Sequence, residues 1–74
     1  MSRVGSAQRI WRLRKRNHAV DAEFHPGVDG SIDVHFLYNG TLSYSKHCAT
    51  RADAMAEAAA RRAELEREGW IFHW

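Results

Sequence analysis

The sequence predicts an α+β fold: a three-stranded antiparallel β-meander packed on one long C-terminal α-helix, with room for a short extra strand at either terminus. Three observations predict it. Apolar and polar residues alternate through residues 18–47, interrupted only by turn residues. An alanine-rich run follows a threonine and stops at Gly69. The tail Gly69-Trp70-Ile71-Phe72-His73-Trp74 is too aromatic to stand in water, so it is expected to dock on the sheet.

Each element follows from its residues. Residues 1–8 are small and polar and are expected to be flexible. Residues 9–17 form a basic arm or strand: Trp11 and Leu13 alternate with Arg12 and Arg14, although Ile10 and Leu13 also suit a short helix. Residues 18–25 form a strand with Val20, Ala22 and Phe24 on one face and Asp21 and Glu23 on the other. Pro26, Gly27 and Gly30 end it. Residues 31–38 form the clearest strand, with Ile32, Val34 and Phe36 on one face.

Asn39-Gly40 marks a hairpin. A two-residue turn pairs Tyr38 with Thr41 and sets Phe36 against Ser43. A three-residue loop with a left-handed Gly40 instead pairs Phe36 with Leu42 and Val34 with Tyr44. Because a one-residue slip flips every side chain, the second register is expected. Residues 41–47 make the third strand. Thr50 caps a helix over residues 51–68, with Asp53 at the capping-box position. Met55, Ala58, Ala59 and Leu65 are expected to face the sheet, and Phe36, Tyr44 and Trp70 to fill the space beneath them.

The chain has 74 residues and reads as one domain. A domain this small buries only roughly 60% of its unfolded surface, so it often relies on a staple or a partner. Cys48 is the only cysteine, which rules out an internal disulfide and leaves a homodimer as one solution. No apolar run approaches the ~20 residues of a membrane helix. No secretory signal is evident, and a cytoplasmic location is expected.

Net charge is +2 and unevenly spread. Residues 1–20 carry six basic residues and no acid, while residues 21–74 carry five basic and nine acidic residues. The basic segment is therefore the candidate binding site for nucleic acid or another polyanion, through Arg9, Arg12, Arg14, Lys15 and Arg16, with Trp11 available to stack on a base. The competing arrangement puts Trp11 and Leu13 in the core and the arginines on its rim.

Other constellations are weaker. Five histidines and Cys48 lack CxxC, HxxxH or HExxH spacing, so no metal and no cofactor is expected. Cys48 lies near His47 and His35 in sequence pattern, with Ser43 and Ser45 nearby, but no nucleophile elbow surrounds it, so no catalytic residue is assigned.

The order of three strands and an alanine-rich helix resembles the double-stranded-RNA-binding domain, which implies RNA binding. Thr50 to Ala58, a capped helix start with an acid and alanines, is similar to the HicB-type antitoxin domain. The pattern Thr50-Arg51-x-x-Ala54 … Leu65-Glu66-x-x-Gly69-Trp70 … His73-Trp74 looks like small bacterial three-strand-plus-helix domains. The expected function is a non-enzymatic interaction module, a regulator or inhibitor of bacterial or phage origin acting on a protein partner. Nucleic-acid binding through the basic segment is the alternative.

Overall fold

The computed structural model describes residues 7–72. Of residues 1–8, expected to be flexible, 1–6 fall outside them, as do His73 and Trp74, expected to dock; Gln8 instead begins the first strand, paired with Phe24. Five strands and one helix follow in order: β1 Gln8–Lys15, β2 His18–Pro26, β3 Ile32–Tyr38, β4 Thr41–Cys48, α1 Arg51–Arg67 and β5 Ile71–Phe72. The strands form one antiparallel sheet in the order β4-β3-β2-β1-β5.

The α+β class holds, but the sheet has five strands rather than three. The basic segment supplies β1, which pairs along its whole length with β2. After β4, at one edge, α1 carries the chain across one face. The tail then lies beside β1 at the other edge, pairing Ile71 with Arg14 and Phe72 with Leu13.

Period-two alternation decides which side chains meet α1. Trp11, Leu13, Val20, Ala22, Phe24, Ile32, Val34 and Phe36 from the sheet pack with Ala54, Ala58 and Leu65 of the helix. Phe24, Phe36, Leu13 and Val34 are the largest fully buried side chains. Each stabilises the fold by about 1.5–3 kcal/mol relative to exposure.

The helix presents less to the sheet than its sequence suggests. Only Ala54, Ala58 and Leu65 are buried. Met55 is 49% exposed, and Ala59 points to solvent with Ala52, Ala56, Ala60 and Ala63. Over the two buried alanines the space is filled by Trp11, which packs on Phe36 at 6.2 Å between centroids and donates its indole N–H to Ala58 O at 3.2 Å. Tyr44 and Trp70, expected in this role, sit at the border: Tyr44 stacks on Phe36 but stays 41% exposed, and Trp70 meets Tyr38 edge-on.

Both helix ends are capped. Thr50 Oγ1 accepts from Asp53 N at 3.1 Å. Gly69 is left-handed, at φ 100°; its N–H reaches Glu66 O, and Trp70 N–H reaches Leu65 O. This is a Schellman motif, and it turns the chain into β5.

The β3–β4 hairpin corrects the expected register. The turn has two residues, Asn39 at φ 51° and Gly40 at φ 84°, and pairs Tyr38 with Thr41. The conflict this creates is removed inside β4. A bulge at Ser43 lets Leu37 pair with Leu42 and Phe36 with Tyr44, so the aromatic pair shares the helix side. The extra residue is present, but in the strand rather than in the loop. Asn39 favours the tight turn because its backbone N–H donates to Ala19 O and its Oδ1 accepts from Ala19 N, extending the ladder.

Candidate interaction surface

The residues of opposite parity form the second face of the sheet, which no described element covers. Its cross-strand rows follow from the register. Leu42, Leu37, Asp21 and Arg12 form one row. Ser45, His35, Glu23 and Arg9 form the next, and His47, Asp33 and His25 the last. Ala19, Arg14 and Ile71 lie on the other side of the first row.

Ion pairs organise this open face. Arg12 grips Asp21 with two bonds, Nε to Oδ1 at 2.6 Å and Nη2 to Oδ2 at 2.9 Å. Asp21 is only 6% exposed although no described element covers this face; its cross-strand neighbours are Arg12 and Leu37. The hydrogen bond to Asp21, and then its charge, raise the Arg12 guanidinium above its usual value. The fork geometry is what arginine offers and lysine does not.

Histidines occupy the far end. The His25 and His35 rings stack at 3.8 Å between centroids. His25 Nε2 lies 3.0 Å from Glu23 Oε1, and His47 Nδ1 lies 2.7 Å from Asp33 Oδ1. Burial, and then the neighbouring His25, lower the pKa of His35 below 6.5, against the pull of Asp33 and Glu23. Among the described residues, no group of three His, Cys, Asp or Glu is arranged to hold a metal ion.

The basic segment is divided three ways. Arg9, Arg12 and Arg14 lie on the open face. Lys15 lies on the helix side and donates Nζ to Glu68 O at 2.7 Å. Arg16 sits in the β1–β2 turn at φ 56°. Trp11 is buried under α1, so its ring has no free side for a base.

Cys48 ends β4 inside the core, 5% exposed. Burial, and then Glu57 and Asp53, push its thiol pKa up, which disfavours the thiolate, the form that reacts. Ser43 and Ser45 are exposed on β4. The sequence pattern did not reveal the His25–His35 stack. The signal was available: the two residues share a parity, and the β2–β3 register sets them on neighbouring rows.

A second surface lies along β4, the sheet edge away from β5. Seven of its eight residues are exposed. Beside it a groove of about 400 Å³ runs between β4 and α1, lined by Lys46, Cys48, Ala56 and Glu57 among others. Lys46 Nζ stands 3.8 Å from Glu57 Oε1, and the Arg61 guanidinium lies over the Tyr44 ring at 5.9 Å. No helix of the described residues is long and apolar enough to cross a membrane.

Comparison with protein-family models, with curated proteins and with solved structures finds no match to this chain.

Proposed function

We propose that the protein is a non-enzymatic binding module of the cytoplasm that contacts a protein partner through the open face of its sheet. One observation carries this reading: α1 covers a single face, and the other presents a mixed apolar and ionic surface. An antiparallel sheet can fold with one face in water, which leaves that face available for contact.

The chemistry of the face describes the partner. Its acids are already matched, Asp21 by Arg12, Glu23 by His25 and Asp33 by His47. Arg14 and Arg16 have no ion-pair partner among the described residues. Leu42 is 51% exposed beside Leu37, and Ile71 is 70% exposed beside Arg14. The partner is therefore a protein surface with an apolar ridge and carboxylates at its flank. Occupying such a surface is how a small module regulates or inhibits.

The test is affinity capture with three chains: the parent, Leu42→Glu with Arg14→Glu, and Ala59→Glu on the outer side of α1. A partner retained by the first and third and lost by the second supports the open face. Equal capture by all three sinks it.

The arginines of β1 favour a second reading, nucleic-acid binding. Arg12 is held by Asp21 and Lys15 by Glu68 O, which leaves Arg14 and Arg16 to reach phosphates. Two contacts give a log–log salt slope of about −1.8 on duplex DNA, measurable by fluorescence anisotropy. The double-stranded-RNA-binding arrangement places a helix before its three strands, whereas the element directly before β2 here is a strand, β1. Absence of binding at about 0.15 M salt removes this reading.

A further inference from the structure

We propose that the β4 edge is completed by β4 of a second copy of this chain, antiparallel, about a twofold axis through Ser45. The edge shares Leu42, Ser45 and His47 with the open face, but strand pairing uses backbone groups in the plane of the sheet, so self-association and partner capture are separate readouts. An edge strand presents unpaired N–H and C=O groups, and monomeric proteins blunt such edges with charge, proline or cover. Here β4 carries one lysine, Lys46, one bulge near its start and no proline, and no element of the described residues covers it. At the opposite edge β5 pairs with β1 at Leu13 and Arg14, and the rest of β1 carries Arg9, Arg12 and a bulge at Ile10.

The register follows from what each choice puts together. An axis at Lys46 sets lysine against lysine, and an axis at His47 sets histidine against histidine. An axis at Ser45 sets Tyr44 against Lys46 of the second copy, twice, and opposes no like charges. Cross-strand pairs of this kind stabilise by a cation over an aromatic ring.

The helix agrees with that axis. Glu57 stands level with Lys46, and Arg61 stands level with Tyr44. Rotation about Ser45 exchanges the two levels. Arg61 of one copy then faces Glu57 of the other, on both sides of the axis. With strands about 4.8 Å apart, β3 of one copy lies roughly 14 Å from β3 of the next, a gap that long side chains reach into from both sides. Arg61 has donors for a further partner: its Nη1 holds Glu64 with one of the five N–H groups of the guanidinium. Pairing also closes the groove between β4 and α1, with the groove of the second copy across the seam.

Two experiments test the proposal. In the first, Ser45→Cys is made with Cys48→Ala and oxidised. Opposed residues in an antiparallel pair have Cα atoms about 4.5–5.5 Å apart, within disulfide reach. Most of the chain should cross-link as a dimer, while Ala59→Cys in the same background stays monomeric. In the second, sedimentation equilibrium should show a dimer for the parent chain. Arg61→Glu should weaken it at least tenfold, and Arg61→Glu with Glu57→Arg should restore it. Circular dichroism confirms that each variant is folded. A parent chain that stays monomeric up to about 1 mM overturns the proposal. So does a dimer indifferent to both the Arg61 change and its reversal, or cross-linking no better at residue 45 than at residue 59.

Discussion

The two faces of the sheet are built from the same strands, one residue out of step, and are held by different physics. Under α1, Phe24, Val34 and Phe36 are shut away from water in the apolar core. On the open face, Asp21, Glu23 and Asp33 are each matched by a cation or an imidazole. The difference separates folding from contact. Stability is concentrated on the covered face, which leaves the open face free to vary in chemistry without loss of the fold.

The largest expected effect tests this division directly. Phe36→Ala should cost about 3–5 kcal/mol, by lost transfer energy and the cavity left behind. Total stability in a small domain is of similar size, so unfolding of this variant is expected. Leu37→Ala, the next residue of the same strand, should cost under about 1 kcal/mol because its side chain faces the open side. Denaturant titration compares the two. Equal losses would show that the open face is covered in solution.

A smaller loss is expected where the open face does contain a buried group. Arg12→Ala leaves the Asp21 carboxylate enclosed and unpaired, at a cost of about 1–3 kcal/mol. Arg12→Lys should recover only part of it, because an ammonium cannot make both bonds at once. Full recovery in the melting curve would reduce the pair to simple charge attraction.

The two faces were not equally legible in the sequence. The covered face was readable wherever apolar residues alternate, as in Val20, Ala22 and Phe24 or Ile32, Val34 and Phe36. Trp11 and Leu13 carry the same alternation, but the arginines around them gave it a second meaning as an arm. Only pairing with β2 decides between the two, and pairing is a property of the whole sheet. The helix was readable in its caps and less so in its facing. With alanine on every side, its sequence carries little information about direction, and the sheet buries only Ala54, Ala58 and Leu65. The candidate surface was legible only as charge. That Arg12 is occupied by Asp21 depends on a register across nine residues of chain.

The β3–β4 turn offers a test of intermediate size. Gly40→Ala should cost about 1 kcal/mol, because a Cβ is strained at φ 84° although the space around it is open. Both registers predict that loss, so nuclear magnetic resonance must separate them. Contacts joining Tyr38 with Thr41 and Phe36 with Tyr44 support the two-residue turn and the bulge. Contacts joining Phe36 with Leu42 would restore the three-residue loop and flip the upper half of β4.

The smallest expected effect is a pH dependence of stability, and it belongs to the open face alone. In an unfolded chain the His35 ring takes a proton near pH 6.5; in the fold its pKa is lower, through burial and the stacked His25. Above 6.5 the ring is neutral in both states, and the stability is fully present. As pH falls through 6.5 the unfolded chain binds a proton that the folded chain resists, so stability declines. The decline ends once the folded-state value is passed. Glu23 from β2 and Asp33 from β3 soften it by favouring the charged ring. Ser45 from β4, the cross-strand neighbour of His35, carries no charge. Because the ring is only partly buried, the effect should be smaller than that of the turn. Urea midpoints at about pH 7.5 and pH 5 measure it for the parent and for His35→Gln. The parent should lose more stability than the variant on acidification. A parent whose midpoint rises as pH falls would show that the histidine cluster is held together in its charged form, with the carboxylates outweighing the stack.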